Sequence, residues 1–105
     1  MYARHVRVKL KAENAREFTR LLEQKIIPLL RTQKGFQDEI TLVAPQRNEA
    51  IAISFWDNRD NADAYNHVAY LDALRVLSTV VESMPIVEIF EVADSASDEI
   101  AASAA

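Results

Sequence analysis

The chain has 105 residues, half of them hydrophobic and 27% charged, with a net charge of −4, no cysteine and a single glycine. That length fits one domain with one core. The acidic balance argues against nucleic acid, the missing thiols exclude disulfides, thiolate catalysis and sulfur metal sites, and one glycine excludes a glycine-rich phosphate loop. No apolar run is long enough to span a bilayer and no signal-peptide core stands at the N-terminus, so the expectation is a cytoplasmic protein with no membrane association.

Tyr2 to Leu10 alternates, with Val6, Val8 and Leu10 on one side and His5, Arg7 and Lys9 on a wetter side, which predicts a first strand. Asn14 and Glu17 have capping-box spacing, and Phe18, Leu21, Leu22, Ile26, Leu29 and Leu30 then recur at helical spacing to about Thr32. Pro28 removes one intrahelical bond and predicts a kink. Gly35 falls where a left-handed C-terminal cap is wanted. A second strand over Phe36 to Ala44 ends at Pro45–Asn48, a hairpin connection into a third strand over residues 50–56. That third strand sets Ile51, Ile53 and Phe55 on one face and Ala52, Ser54 and Trp56 on the other, neither carrying a charge.

Asp57 and Asn58 offer acceptors for a helix start, with Asp60 and Asp63 suited to the positive end of its dipole. The second helix breaks near Asn66 and His67 and continues as Val68 to Glu82, with Leu71, Leu74, Leu77, Val81 and Met84 as the expected buried stripe and Pro85 as its stop. Ile86 to Val92 is the last strand. Residues 94–105 form a Ser/Ala/acidic tail expected to be disordered, leaving residues 1–93 as the domain. The order βαββαβ with right-handed crossovers predicts an α+β, ferredoxin-like sandwich: an antiparallel four-stranded sheet with two helices on one face. The other face of the third strand is apolar too, so a homodimer joined sheet to sheet is expected. Covering such a face contributes several kcal/mol at about 25 cal/mol per Å².

The first helix ending Ile27-Pro28-Leu29-Leu30, then Lys34-Gly35-Phe36, Ser54-Phe55-Trp56-Asp57-Asn58, Ala64-Tyr65 and Pro85-Ile86-Val87, resembles the antibiotic biosynthesis monooxygenase superfamily of dimeric α+β barrels. The resemblance covers about residues 2–93. It implies a ligand pocket between sheet and helices and, in the quinone-forming members, a cofactor-free oxygenation of phenolic, quinol or anthrone-like rings. Trp56 matches the strand-end tryptophan of those members, and Arg75 lies near their helix arginine. Their asparagine four residues before the tryptophan is Ala52 here. The asparagine, tryptophan and histidine of haem-degrading members fall on Val6, Tyr65 and Arg75, which speaks against haem degradation. Two histidines of quinol-oxidising relatives become Tyr65 and Tyr70.

His67 is the better of the two histidines for general base work, and joined to the resemblance this gives His67, Tyr65 and Arg75 as candidate catalytic residues, the first two for proton transfer and Arg75 for steadying an anion. Trp56, Ser54 and Tyr70 would contact a small aromatic ligand. No cofactor and no metal is expected, since the positions i+3 and i+4 from His67 are Tyr70 and Leu71. Each residue also has a plainer reading: Trp56 as core, the tyrosines as packing, His67 as an exposed cap, and Arg75 as a surface partner of Asp72. On that plainer reading the chain is a non-catalytic dimer binding a small apolar ligand or a partner, or an assembly module with no pocket.

Overall fold

The computed structural model describes residues 1–96. The tail expected over 94–105 lies, from residue 97 on, outside the described residues. The elements are β1 (Tyr2–Lys9), α1 (Ala15–Leu21), a π-helical turn (Leu22–Ile26), α2 (Ile27–Arg31), β2 (Phe36–Ala44), β3 (Glu49–Trp56), α3 (Arg59–His67), α4 (Ala69–Leu77) and β4 (Ile86–Glu91). The strands form one antiparallel sheet in the order β2-β3-β1-β4, the ferredoxin-like arrangement expected, with the helices on one face.

Local chemistry explains most boundaries. Gly35 adopts φ +83°, the left-handed turn that lets β2 leave α2. The kink at Pro28 takes the form of the π-helical turn, in which the Ile27 N–H reaches back to the Leu22 carbonyl. Pro28 then stands in the first turn of α2, where its missing N–H costs little. Asn48, at φ 53°, closes the β2–β3 connection after a 3₁₀ turn over Pro45–Arg47. Asn58 caps α3, its side-chain oxygen accepting from the Asn61 N–H at 2.9 Å.

Three local expectations are corrected. Asn14 does not close a capping box: its Nδ2 donates to the Ala12 carbonyl at 2.9 Å, and Glu17 is taken by Arg20. The buried stripe of α4 is Ala69, Ala73 and Leu77, continued by Val80, whereas Leu71 is 52% and Met84 77% exposed. Val68 is non-helical (φ −121°, ψ −75°), so the helix phase restarts at Ala69 and a different face turns inward. The helix also ends at Leu77, well short of Pro85. Residues 80–82 leave it to pair with the end of β1: Lys11 N–H donates to the Val80 carbonyl at 2.9 Å and Glu82 N–H to the Lys9 carbonyl at 2.8 Å.

The core lies between sheet and helices and contains Val6, Val8, Leu10, Phe18, Leu21, Leu22, Ile26, Leu30, Ala50, Trp56 and Tyr65. On β3 it is the Ala52, Ser54 and Trp56 face that turns inward. Because opposed residues of paired strands share a face, the register puts Ile51, Ile53 and Phe55 with Ile40, Leu42, Ile86 and Phe90 on the outer face. Of these Ile40, Leu42, Ile86 and Phe90 are 43–59% exposed.

Candidate functional site

The register sets one polar row across the inner face. Arg4 of β1 stands opposite Ser54 of β3, and Ser54 stands opposite Glu39 of β2. With strands about 4.8 Å apart, the outer two members start roughly 10 Å from one another. From the helix side Tyr65 and Asn66 of α3 and Tyr70 of α4 come down on this row. The break at Val68 lets two consecutive helices present Tyr65 and Tyr70 to the same place.

Arg4 is only 2% exposed. Its Nη2 and Nε donate to Asn66 Oδ1 at 2.8 and 3.2 Å, and the guanidinium carbon lies 3.9 Å from the Tyr70 ring centroid and 5.0 Å from that of Tyr65. Among the described residues no carboxylate forms an ion pair with it. The Tyr70 hydroxyl is buried within reach of the Arg4 guanidinium, and among the described residues no acceptor takes its proton. Between sheet and helices these groups line a cavity of about 40 Å³. Its polar lining is Arg4, Glu39, Ser54, Tyr65 and Tyr70, and its apolar wall includes Phe18, Leu22 and Ile26.

A family model for antibiotic biosynthesis monooxygenases matches residues 1–76. The chain belongs to that family. No curated protein sequence matches it significantly. Solved structures share the fold of this antibiotic biosynthesis monooxygenase family member at low identity. A protein of unknown function from Nitrosomonas europaea is 18% identical, with a TM-score of 0.74 over 90% of each chain. SnoaB, a cofactor-independent oxygenase from Streptomyces nogalater, is 15% identical, with a TM-score of 0.74 over 90% of this chain and 95% of its own. Rv0793 from Mycobacterium tuberculosis is 18% identical, with a TM-score of 0.69 over 91% and 98%.

In this family member the cavity gathers some of the expected site residues and leaves others outside. Tyr65, Tyr70 and Ser54 line it. Trp56 stands behind it: fully buried, its indole stacks on Tyr65 (5.2 Å between centroids, 28°) and takes the edge of Phe36 (5.7 Å, 71°). The Trp56 Nε1 donates to Ser54 Oγ at 2.9 Å, so the serine keeps its own proton for another acceptor. His67 is exposed, and Arg75 is a surface side chain, 79% exposed and 3.0 Å from Asp72. Neither lines the cavity. Sequence reasoning overlooked Arg4, Glu39 and Asn66. Arg4 was detectable, because the alternation that buries Val6 and Val8 carries Arg4 onto the same face, and a cation on a covered face is informative. Glu39 and Asn66 had no such local signal.

Burial dominates the acid–base behaviour of this monooxygenase-family site. It pushes the Tyr65 phenol up to about 12, against the opposing pull of Arg4. Tyr70 is raised in the same way, burial outweighing Arg4. The Glu39 carboxyl is also raised, by burial first, against the hydrogen bond it accepts from Thr41 Oγ1, with Asp38 adding to the rise. Burial lowers the Arg4 guanidinium, which the two tyrosines partly offset. An arginine so placed is still a cation at neutral pH.

Proposed function

We propose that the chain is a cofactor-independent monooxygenase acting on a phenolic, quinol or anthrone-like ring bound between sheet and helices. The observation that carries this reading is the convergence of a buried cation, a carboxyl of raised proton affinity and two phenols on one otherwise apolar cavity. Glu39 is the general base in this scheme, since it lines the cavity with a proton affinity raised by burial while His67 faces solvent. Arg4, rather than Arg75, holds the oxyanion that forms. Tyr65 keeps its proton and donates a hydrogen bond. The electron-rich anion then reduces dioxygen itself. For a phenol with a free para C–H, one O₂ is consumed, one oxygen atom becomes the new quinone carbonyl, and the other leaves as water with the two hydrogens lost by the ring. The fold shared with SnoaB supports this class of chemistry.

The cavity is smaller than the roughly 150 Å³ that admits a benzene. A bound ring therefore requires the lining to open, by less for a single ring than for a fused one. Oxygen uptake with a panel of hydroquinones, phenols and anthrones tests the proposal. Glu39→Gln is expected to slow uptake on the order of 10²–10⁴-fold, and the parent rate to fall as the pH drops through the Glu39 ionisation. Uptake unaffected by Glu39→Gln would remove Glu39 as the base. No uptake, with a small molecule retained in native mass spectra, would favour a non-catalytic binding protein.

The same reading includes a homodimer. Ile40, Leu42, Ile53, Phe55 and Phe90 form an apolar outer face, and His5, edge-on to Phe90 at 6.2 Å, has its Nδ1 buried without a partner on that side. Two chains closing these faces together explain a surface this apolar. Sedimentation showing an 11.9 kDa particle at micromolar concentration would sink this part of the proposal.

A further inference from the structure

Arg4 is held in an unusual way. A buried guanidinium ordinarily sits against a carboxylate, because an uncompensated charge is costly away from water. Here the group that receives Nε and Nη2 is the neutral amide of Asn66. The same two hydrogen bonds could be accepted by an aspartate of nearly identical shape. Both hydrogens of Nη1 and one of Nη2 are left over. The other neighbours are the ring faces of Tyr65 and Tyr70 and the Tyr70 hydroxyl, all neutral. Glu39, among the described residues the only carboxyl lining the cavity, is engaged by Thr41. The cation is oriented but not neutralised, at the edge of a partly open cavity, beside a Tyr70 hydroxyl that leans on the guanidinium and still has a proton to donate.

We infer that the cavity selects a ligand by its negative charge: a single-ring aromatic monoanion, carboxylate or phenolate, seated on the free donors of Arg4 with the Tyr70 hydroxyl as second donor. This rests on the cavity being the ligand site of the oxygenase reading and adds the charge that the ligand must bring. Asn66 is then a positioning residue. It aims the guanidinium while leaving its charge for the ligand, and the apolar wall receives the ring. Benzene-like neutral ligands satisfy the wall and leave the cation uncompensated, so the site discriminates against them. Glu39 opposes an incoming anion while it is ionised, the same state in which it serves as base, so replacing it strengthens binding of the anion while stopping turnover.

The test is isothermal titration of the full-length protein with matched pairs: benzoate against benzamide, and 4-nitrophenolate against 4-nitroanisole. The first pair probes a carboxylate and the second a phenolate. At least one anion is expected to bind tenfold or more tightly than its neutral partner. Asn66→Asp, which keeps shape and hydrogen bonds but neutralises Arg4 internally, is expected to erase that preference without lowering the thermal midpoint. Glu39→Gln is expected to sharpen it several-fold. Equal affinity within each pair, binding of neither, or a preference that survives Asn66→Asp overturns the inference. Anion preference without oxygen uptake overturns only the oxygenase reading, and uptake of neutral ligands with no charge preference overturns only this one.

Discussion

Gly35→Ala isolates the joint on which the α3 side of the site depends. The glycine carbonyl accepts the Asp57 N–H at 2.9 Å, Asp57 Oδ1 accepts from Asn61 Nδ2 at 2.8 Å, and Asn58 caps the helix that carries Tyr65 and Asn66. An added methyl would stand 2.7 Å from Asn61 Cβ and closer still to Asp57 Oδ1 and Asn61 Nδ2. The left-handed backbone at φ +83° costs a non-glycine residue about 1–2 kcal/mol. Forcing a methyl into occupied space adds about 1–3 kcal/mol. The sum is roughly 3 kcal/mol, and for a domain of this size that lowers the thermal midpoint by roughly 15 °C. Thermal unfolding followed by far-ultraviolet circular dichroism reads it directly. Because the clash displaces the Asp57–Asn61 clamp, ligand affinity should fall at temperatures where the variant is still folded. A midpoint within about 3 °C of the parent would refute the argument, since it would mean that the α2–β2 turn does not press on the α3 start.

Three further outcomes are expected. Trp56→Phe removes a fully buried indole and its 2.9 Å bond to Ser54, costing about 1–3 kcal/mol in denaturant titration. Arg4→Met removes a buried cation that has no carboxylate partner but strands Asn66 Oδ1. These effects oppose one another, so thermal unfolding is expected within about 5 °C of the parent while turnover is lost. Alkaline titration followed by tyrosinate absorbance should show a late component near 12 that Tyr65→Phe removes. Since the folded phenol ionises later than the unfolded one, its stabilising contribution is complete below about 10, the ordinary value, and is lost as the pH rises through 12. Guanidinium unfolding midpoints across that window check the sign.

Much of this architecture was legible because backbone preferences act over a few residues. Alternation located β1 and β3, flanking turn and proline signals bounded β2 and β4, the lone glycine took the left-handed position assigned to it, Asn58 capped α3, and the break after Asn66 fell within two residues of its expected place. These features depend on sterics and hydrogen bonds that a short segment carries with it. The candidate site was different. Which face of β3 turns inward, the phase of α4 after Val68, and the early end of that helix where residues 80–82 join β1 were set by docking against distant segments. The Arg4–Asn66 contact joins residues 62 apart in sequence, and Glu39 reaches the same cavity only through the β2–β3 register. Composition and spacing determined that the chain would be an α+β sandwich with one apolar face to spare. Alternation placed Arg4 on the covered face, but only the tertiary structure decided what it meets there, Asn66 and the two tyrosine rings, because those contacts belong to the packed sheet and helices together rather than to any one stretch of chain.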